Sequence, residues 1–395
     1  MAKQVLLGWQ ISTLHGWGVY GLNLALNWAS DRQIESATTM FDPDLIVDID
    51  PIQYRALGPF VRRSQEFQKV LQSRANGRIK YKGAYVAALG NDLRALANAY
   101  QAKITGKPTI GAVFFESSLA PEAIERAKDF SLIVTGSIWN EKVLRAYGIE
   151  NVSTIHQGID PAYFHRGPKR GFLKDRFLIF SGGKPEYRKA QDIVLAAFKV
   201  FSMYHPEAVL VTAWQSFWPE LARSLDWSEL LSPVVFNEKY QFNPSGWAIA
   251  NGIPAHRLID LGVVPNRKMP AILREMDVAV FPNRAEGGTN LVAMECMACG
   301  LPVILSRNTG HVDLIENDSC YTLDDQRQTA RGFAGIDGVA GWGESQIDEI
   351  VERLEQVYSD RTEAKRRGAR AAERLAHLTW QATAQKMKDV VIKVA

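Results

Sequence analysis

The sequence predicts an α/β protein with a parallel sheet in each half of the chain. Short apolar runs alternate with longer segments of helical periodicity, the pattern typical of βα units. The alternation is interrupted once, from residue 156 to about residue 175, by a linker rich in glycine and charged residues. A length of 395 residues suits two domains, since a domain usually holds roughly 100–200 residues. Two sheets of similar size in tandem are therefore favoured over one large sheet.

The apolar runs indicate the strands, and the helical periodicity indicates the helices between them. In the first half we expect strands over residues 4–9, 45–49, 85–89, 109–114 and 131–135, and helices over residues 21–30, 59–73, 93–102, 121–128 and 140–147. In the second half we expect strands over residues 177–181, 208–212, 257–262, 278–281, 302–305 and 320–323, and two closing helices over residues 363–376 and 380–394.

The composition excludes several classes of protein. Lys and Arg number 46 against 43 Asp and Glu, and a net charge of +3 is too small to indicate nucleic acid as the main partner. Three cysteines in a long chain exclude a disulfide scaffold and favour a reducing compartment. The first residues lack the pattern of a signal peptide, and no apolar run approaches the roughly 20 residues of a membrane span. We therefore expect a cytoplasmic protein.

The most informative segment, residues 281–302, reads FPNRAEGGTNLVAMECMACGLP. An expected strand ends where it begins, and a glycine pair precedes Thr289 or Asn290 as the cap of a helix. Glycines before a helix N-terminus let backbone N–H groups approach an anion, which the helix dipole also favours. Glu286 lies in the loop and Glu295 in the second turn of the helix, where each can reach a bound substrate. The alternative is a structural turn, with Glu295 as a solvated helix residue.

A second segment, residues 180–192, reads FSGGKPEYRKAQD and follows the first expected strand of the second half. It carries three cations within six residues, namely Lys184, Arg188 and Lys189. Cations so close together suit an anionic ligand, because hydrogen bonds from charged donors to anionic oxygens are strong. Taken alone, a lysine-rich surface turn is the alternative interpretation.

These two segments resemble motifs of the retaining glycosyltransferases of family 4 (group 1). The first is similar to the family's Glu-x7-Glu signature, although eight residues rather than seven separate Glu286 from Glu295. The second is similar to the family's Gly-Arg-x4-Lys-Gly-x-Asp element. Lys184 and Lys189 take its two cationic positions, and Ala190 replaces its second Gly.

The resemblance extends over nearly the whole chain. Residues 156–160, HQGID, followed by Phe164, are similar to the stretch that joins the two domains in the family. Trp380 is similar to the Trp that precedes the last helix.

The family has the GT-B fold, so the resemblance implies two Rossmann-like α/β domains with parallel sheets that face each other across a cleft. It implies an acceptor-binding domain over residues 1–165, a nucleotide-sugar-binding domain over residues 166–376, and a C-terminal helix over residues 377–395 that packs back on the first domain.

The activity that the resemblance implies is transfer of a sugar, with retention of anomeric configuration, from a nucleotide-diphosphate sugar to a hydroxyl. UDP or GDP is the expected nucleotide, and the acceptor is a carbohydrate, a lipid-linked molecule or another hydroxyl compound. Neither a metal nor another cofactor is expected, because the cations stabilise the charge of the leaving group.

The resemblance also assigns roles to residues that match the family's motifs. The catalytic candidates are Glu286, on the reacting side of the donor sugar, and Lys184 and Lys189, at the diphosphate. Glu295 is expected at the ribose hydroxyls and Val264 near the base. The full set of candidates for binding the nucleotide sugar is Gly16, Gly18, Gly183, Lys184, Arg188, Lys189, Val264, Pro265, Gly287, Gly288, Thr289, Asn290 and Glu295.

Two residues of the first half are candidates for contact with the acceptor. Family members often have a His after a strand of the first domain, where this chain has Glu116 in the sequence FFES. Glu116 either orients an acceptor hydroxyl or caps the segment that follows. His15 is the second candidate, because it lies beside the glycines of residues 16–21.

Residues 16–21, GWGVYG, also fit Gly-x-Gly-x-x-Gly and support an alternative function, an NAD(P)-dependent Rossmann oxidoreductase. That fingerprint has its first glycine directly after a strand, whereas the first expected strand here ends near residue 9. A GT-B-like epimerase or phosphorylase and a non-catalytic binder of sugar nucleotides are further alternatives.

Three other features have both a functional and a structural interpretation. The aromatic insert at residues 214–247 suits a flap that contacts saccharide or a satellite hydrophobic cluster. Residues 55–82 carry eight Lys or Arg and one acid, which suits peripheral contact with a membrane or a solvated helix with a buried stripe. Cys296 and Cys299 suit core packing, because a metal or redox site needs further partners.

Overall fold

The protein is described by a computed structural model over residues 2–316, 318–329 and 341–394. The chain forms two compact units. The first unit comprises Met1–Asp160, Pro265–Arg267 and Leu378–Ala395, and the second unit comprises Pro161–Val264 and Lys268–His377.

Strands and helices alternate along most of the described chain. The strands are β1 (Lys3–Gln10), β2 (Ile34–Met40), β3 (Arg78–Lys80), β4 (Ala84–Leu89), β5 (Lys103–Thr105), β6 (Thr109–Val113), β7 (Leu132–Thr135), β8 (Val152–Thr154), β9 (Phe177–Gly182), β10 (Ala208–Ala213), β11 (Leu258–Asp260), β12 (Val278–Phe281), β13 (Val303–Ser306), β14 (Tyr321–Leu323), β15 (Gln326–Arg327) and β16 (Glu344–Ser345).

The helices are α1 (Gly16–Trp28), α2 (Pro51–Ala56), α3 (Gly58–Ser73), α4 (Pro121–Ala127), α5 (Ile138–Ala146), α6 (Gln191–Tyr204), α7 (Pro244–Ala250), α8 (Met269–Leu273), α9 (Leu291–Ala298), α10 (Ile347–Ser359), α11 (Arg361–Leu375) and α12 (Trp380–Lys393). Short 3-10 helices are formed by Pro43–Leu45, Tyr187–Lys189, Pro219–Ser228, Ala255–Arg257, Asn266–Lys268 and Thr309–Leu314.

Each unit contains a six-stranded sheet whose strands are all parallel, so the predicted fold class is confirmed. The first sheet has the order β2-β1-β4-β6-β7-β8 and the second the order β11-β10-β9-β12-β13-β14. Strands β4 and β9 are buried along their whole length. This explains their continuous apolar sequences, because the two faces of a parallel sheet are usually covered by helices.

The strand order reverses beside the first strand of each sheet. In the second unit the chain passes from β9 to β10 on one side, and β12 later pairs with β9 on the other side. In open parallel sheets, ligands bind outside the carboxyl ends of the strands at such a reversal. The carboxyl ends of β9 and β12 lead directly into residues 183–190 and 282–290, the two segments that carry the motifs.

Two elements of the first half differ from the prediction. Residues 45–49 were expected as a strand, but the segment begins as the 3-10 helix Pro43–Leu45 and packs on the loop after β1, where Thr13 N donates to Leu45 O at 3.0 Å. The strand beside β1 is instead β2, whose sequence IESATTM is too polar to be recognised. Thr38 of this strand is held by tertiary contacts: its N–H donates to Ser64 Oγ at 3.0 Å, and its hydroxyl donates to Trp9 O.

Residues 93–102 were expected as a helix and form none. Leu93 and Gln101 have φ values of 57° and 52°, in the left-handed region that ends a helix. Ala95 pairs with Leu89 in an isolated antiparallel bridge. This prediction is therefore wrong, because the chain turns after β4 and pairs back with it: Leu93 N donates to Gly90 O at 2.9 Å, and Leu96 N donates to Ala88 O at 2.8 Å.

Helix α1 begins at Gly16, five residues before the predicted start. His15 caps it, since its Nδ1 accepts a hydrogen bond from Gly18 N at 3.0 Å. A Cβ on Gly18 would lie 2.3 Å from Ser12 Cβ, whereas Gly16 has open space around it. Gly18 is thus required for close packing of the helix start on the loop after β1.

The last helix, α12, packs on the first unit as the fold class implies. Ile159 N donates to Leu378 O at 2.8 Å, and Trp28 Nε1 donates to Ala384 O at 3.1 Å. A Cβ on Gly158 would lie 2.2 Å from the backbone of Thr379. The close approach of these two chain segments therefore requires glycine at position 158.

The aromatic insert divides into two parts. Trp214, Phe242 and Trp247 are buried in the core of the second unit, which confirms the hydrophobic-cluster interpretation for them. Phe217 and Trp218 are about half exposed, so contact with saccharide stays a prediction for that pair.

The basic residues of 55–82 lie on α2, α3 and β3 and the turns beside them. Of the predicted apolar stripe on α3, Phe60 and Leu71 are buried, whereas Val70 is exposed. The helix therefore has an ordinary buried side, and contact with a membrane surface stays a prediction. Among the described residues, no helix has the length and apolar character needed to span a bilayer.

We expect Gly158→Ala to lower the free energy of unfolding by about 1–3 kcal/mol, the usual penalty for overpacking. The methyl group would collide with Thr379 and push α12 away. Urea denaturation measures the effect. Gly58→Ala is the matched control, because the nearest atom to its added Cβ is the flexible end of Arg62 at 3.7 Å. Equal unfolding free energies for the two variants would contradict the prediction.

Candidate functional site

The segment after β9 forms a tight loop whose conformation needs unusual backbone angles. Gly183 has φ of +127°, and Ala190, directly before α6, has φ of 58° in the left-handed region. The left-handed conformation of Ala190 favours glycine. This explains why the motif that the segment resembles has its second Gly at this position. An alanine there costs about 1–2 kcal/mol of backbone strain.

The segment after β12 is held against the 3-10 helix Thr309–Leu314. Glu286 N donates to Thr309 Oγ1 at 2.8 Å, and Gly310 N donates to Glu286 O at 2.9 Å. A Cβ on Gly310 would lie only 1.7 Å from Gly288 O. Glycine at position 310 therefore lets the loop with Glu286 fold tightly onto its neighbour.

Asn290 is the cap of α9, which resolves the choice between Thr289 and Asn290. Its φ is 63°, and its Oδ1 accepts a hydrogen bond from Ala293 N at 3.3 Å. The helix begins at Leu291, and Glu295 accordingly lies in its second turn as predicted.

The two segments bring four of the predicted site residues into one cluster of charges. Glu286 accepts hydrogen bonds from Lys189 Nζ and, at 3.2 Å, from Arg188 Nη1. Arg188 also bonds to Glu186, and Lys184 Nζ lies 3.5 Å from the same Glu186 oxygen. Lys184 is 44 % exposed, whereas the other four side chains are nearly buried. We call these five side chains the charge cluster.

The acids of the charge cluster stay ionised despite their burial. Burial alone raises the pKa of Glu286, but the charges of Lys189 and Arg188 outweigh it and lower the pKa to about 2. Glu186 follows the same pattern: burial raises its pKa, and Arg188 and Lys184 bring it below its ordinary value. Burial lowers the pKa of Lys189, and the nearby Glu286 carboxylate opposes that shift.

Arg284 holds the turn that carries Arg188 and Lys189 of the charge cluster. It is fully buried and forms a two-pronged ion pair with Asp192, at 2.9 and 2.7 Å. It also donates to Tyr187 O at 2.8 Å and lies 3.9 Å from the centre of the Tyr187 ring. Arg284 thereby fixes the turn that carries Arg188 and Lys189.

Sequence reasoning missed the roles of Arg284, Asn283, Glu186 and Asp192, although all four lie in the segments that carry the motifs. Their residue types gave no signal of function. Arg284 and Asp192 act through each other over 92 residues of sequence, whereas Glu186 and Asn283 contact nearby residues in an arrangement that only the folded loops fix. Asp192 alone occupies a fixed position of the motif, as its closing Asp.

His311 is a neutral structural group beside the charge cluster. Ser306 Oγ donates to Asn283 O at 2.7 Å, so the 3.0 Å contact between Ser306 Oγ and His311 Nδ1 places the proton on Nδ1. His311 Nε2 then accepts from Asn290 Nδ2 at 3.0 Å. Burial lowers the pKa of His311 to about 4, which agrees with a neutral ring.

The remaining candidates lie in the segment after β12, in α9 and in the loop after β11. Gly287, Gly288, Thr289 and Glu295 are buried, which excludes the interpretation of Glu295 as a solvated helix residue. Val264 and Pro265 follow β11 and are half buried. Their contact with a nucleotide base stays a prediction.

The candidates of the first unit gain only partial support. Gly16 and Gly18 lie in the first turn of α1. Five residues separate β1 from Gly16, so residues 16–21 do not form the strand–turn–helix fingerprint of a dinucleotide site. Contact of either glycine or His15 with substrate stays a prediction.

Glu116 follows β6 and is half buried, and its N–H donates to Asn91 Oδ1 at 3.0 Å. The next helix, α4, begins at Pro121 with Ala120 at the cap position. Glu116 is therefore not the cap residue of α4, and its two proposed roles, at an acceptor hydroxyl or as a cap of the segment that follows it, both stay predictions.

The three cysteines are buried structural residues. Burial raises the pKa of Cys299 to about 12 and that of Cys320 to about 11. Reactive cysteines have lowered pKa values, so these thiols suit core packing. Over the described ranges, no three His, Cys, Asp or Glu side chains stand close enough together to hold a metal ion.

We expect Glu286→Gln to weaken the dependence of the free energy of unfolding on pH below about pH 5. The pKa of Glu286 falls from 4.5 to about 2 on folding. Its ionisation therefore stabilises the fold fully above about pH 5, and this contribution is lost as the pH falls toward 2. Wild type should accordingly lose more unfolding free energy than the variant between about pH 5 and pH 3.

Urea denaturation at each pH measures the two profiles. Lys189, Arg188 and Glu186 face Glu286 in both proteins, and so does His311, so the difference between the profiles reports the Glu286 carboxyl itself. The exposed Glu238→Gln is the control and should follow wild type. Parallel profiles for wild type and Glu286→Gln would contradict the prediction.

Comparison with known proteins bears on the identity of this chain. Residues 266–387 match the family described as "Family 4 Glycosyltransferase in conflict systems". D-inositol 3-phosphate glycosyltransferase 2 of Catenulispora acidiphila is 27 % identical over 235 residues, which cover 53 % of this chain and 49 % of that protein. The Corynebacterium diphtheriae D-inositol 3-phosphate glycosyltransferase is 29 % identical over 138 residues, 34 % of this chain and 27 % of that one. The chain thus spans about half the length, or less, of these curated relatives.

Solved structures share the fold over the full length of the chain. Anabaena HepE, in complex with UDP and glucose, has a TM-score of 0.64 at 12 % identity and covers 99 % of this chain and 100 % of its own. Sucrose-phosphate synthase from Thermosynechococcus elongatus has a TM-score of 0.63 at 15 % identity, with 99 % of both chains covered. The resemblance is therefore confirmed as a similarity: the chain is similar to family 4 (group 1) glycosyltransferases and has the GT-B fold.

Proposed function

We propose that the protein is a glycosyltransferase that moves a sugar from a nucleotide-diphosphate sugar to an acceptor hydroxyl, with retention of anomeric configuration and without a metal ion. The observation that carries the proposal is the charge cluster at the carboxyl ends of β9 and β12. Three cations converge there beside the N-terminus of α9, at the strand reversal where α/β sheets bind ligands.

The chemistry of the site suits a diphosphate. Lys184, Arg188 and Lys189 present donors to anionic oxygens, and charge-assisted hydrogen bonds of this kind are roughly twice as strong as neutral ones. Preorganised donors of low exposure stabilise the charge that develops on a departing group. In the proposal the backbone N–H groups of residues 287–289 add further donors, and the α9 dipole favours the same charge.

The two glutamates have separate roles in this proposal. Glu286 lies within the charge cluster and contacts the donor sugar on its reacting side. Glu295, one helical turn further into α9 than the cap, accepts hydrogen bonds from the ribose hydroxyls. Glu116 and His15 of the first unit are the proposed contacts of the acceptor.

The similar proteins support the substrate class. HepE, which shares the fold, is described in complex with UDP, with UDP and glucose, and with UDP-glucose. The curated relatives are named as glycosyltransferases. A UDP- or GDP-linked sugar is accordingly the donor that we propose, and NMR of the anomeric proton in the product tests retention.

The oxidoreductase alternative has less support. Its fingerprint would need residues 16–21 in a turn directly after β1, but they lie in helix α1. Calorimetric titration with UDP, GDP, ADP and NAD distinguishes the two functions. Tight binding of NAD alone would overturn the proposal, and binding of a sugar nucleotide without turnover would indicate a non-catalytic relative.

We expect Lys189→Ala to weaken binding of the preferred nucleoside diphosphate by about 10- to 100-fold, the range for one hydrogen bond to a charged group. Release of the nucleotide from its sugar should slow at least as much. Calorimetry and a nucleotide-release assay measure the two effects, and thermal unfolding checks that the variant folds. Lys239→Ala, an exposed lysine of the same unit, should bind like wild type. Unchanged affinity and turnover for Lys189→Ala would refute its role at the phosphate.

We expect Glu295→Ala to weaken binding of the nucleoside diphosphate by about tenfold while leaving the affinity for inorganic pyrophosphate unchanged. The reason is that Glu295 is proposed to contact the ribose and not the phosphates. Parallel titrations with the two ligands measure this difference, with Glu238→Ala as the control. If both affinities were unaltered, the assignment of Glu295 to the ribose hydroxyls would be wrong.

A further inference from the structure

The cations assigned to the donor are already paired with carboxylates in the structure. One oxygen of Glu286, Oε1, accepts from both Lys189 Nζ and Asn283 Nδ2, and the other, Oε2, accepts from Arg188. The Glu286 side chain is 5 % exposed. Both of its oxygens are therefore satisfied by protein groups, two of them charged and one neutral.

A bound diphosphate would compete with Glu286 for the charged groups. Lys189 and Arg188 can turn toward a dianion because each charge is attracted by it, and their hydrogen bonds to Glu286 would then lengthen or break. A buried carboxylate that loses its cations loses the attraction that offsets its burial. Asn283 carries no net charge, so the diphosphate exerts little pull on its carboxamide.

Asn283 is held in place independently of the charge cluster. It is buried directly after β12 and Pro282, and its backbone oxygen accepts from Ser306 Oγ at 2.7 Å and from Asn308 Nδ2 at 2.9 Å. The position of its side chain therefore does not depend on Lys189 or Arg188.

Resting on the proposed function, we propose that Asn283 is a positioning residue that holds the Glu286 carboxylate in place while Lys189 and Arg188 transfer their hydrogen bonds to the donor diphosphate. The carboxamide keeps Glu286 oriented toward the donor sugar and keeps it ionised during this exchange. Lys189 and Arg188 can then bind the diphosphate without loss of the Glu286 orientation, because Asn283 maintains that orientation.

The test compares two substitutions of Asn283 with wild type. Asn283→Leu keeps the volume and removes the donor, and Asn283→Asp keeps the shape and places a second acid against Glu286. Titration of UDP and GDP measures binding. Nucleotide release from UDP-glucose and GDP-glucose, with water as the acceptor, measures kcat over a range of pH.

We expect Asn283→Leu to bind the nucleoside diphosphate within about threefold of wild type, because the three cations remain, and Asn283→Asp to bind it more weakly, because the added carboxylate repels the diphosphate. Their kcat should fall about tenfold or more, the effect of one hydrogen bond to a charged group. The acid limb of the rate profile should move to higher pH, because a carboxylate that loses a donor, or gains an acidic neighbour, is protonated more easily. Lys189, Arg188, His311 and Glu186 face Glu286 in every variant, so the shift reports Asn283.

Asn308→Ala is the matched control. It removes a bond to the Asn283 backbone but none to Glu286, so it should lower the melting temperature without moving the acid limb. An unchanged kcat and rate profile in Asn283→Leu, or a loss of binding and kcat together with no pH shift, would overturn the inference and leave the proposed function intact. If wild type bound no nucleoside diphosphate, the proposed function would fail first and the inference with it.

Discussion

The buried carboxylate of Glu286 is the group on which the rest of the second unit's site depends. A charge of such low exposure is tolerated only with charged and hydrogen-bonding partners around it. Those partners come from two loops, because Lys189 and Arg188 follow β9, whereas Asn283 follows β12. The ion pairs therefore fasten together the carboxyl ends of two neighbouring strands, where the sheet topology already favours a ligand.

Much of the surrounding structure serves to hold these loops in shape. Arg284 and Asp192 form a second, fully buried ion pair that fixes the turn carrying the cations. On the other side, Gly310 gives the Glu286 loop room to approach the 3-10 helix beneath it. Neutral His311 and the Asn290 cap link that helix to α9. The site is thus built on strand ends and buried polar contacts, which hold in place the backbone that carries its cations.

The balance of charge in the charge cluster suits the proposed binding and release of a diphosphate. Three cations face two carboxylates, so the net charge is small although the local fields are strong. A dianionic leaving group can bind in such a site when the cations exchange their hydrogen bonds to the glutamates for hydrogen bonds to the diphosphate. When the diphosphate departs, the cations return to the glutamates, so no buried cation is left unpaired. This arrangement suits a reaction in which a diphosphate must be bound, stabilised and then released.

The sequence by itself determined the two parallel sheets, the helix after the glycine pair and the identity of the cations and glutamates. These follow from local periodicity, from cap chemistry and from residue types at short spacing. Tertiary structure alone decided that β2 is a strand despite its polar sequence, since Ser64 Oγ accepts from the Thr38 N–H and the Thr38 hydroxyl donates to Trp9 O of β1. It also decided that α1 begins at Gly16 and so includes Gly16 and Gly18. Only the folded loops show that Arg284, Asn283 and Glu186 lie at the candidate site. The physical reason is long-range pairing: Arg284 pairs with Asp192 over 92 residues of sequence, and Lys189 with Glu286 over 97, and a local pattern does not show such pairs.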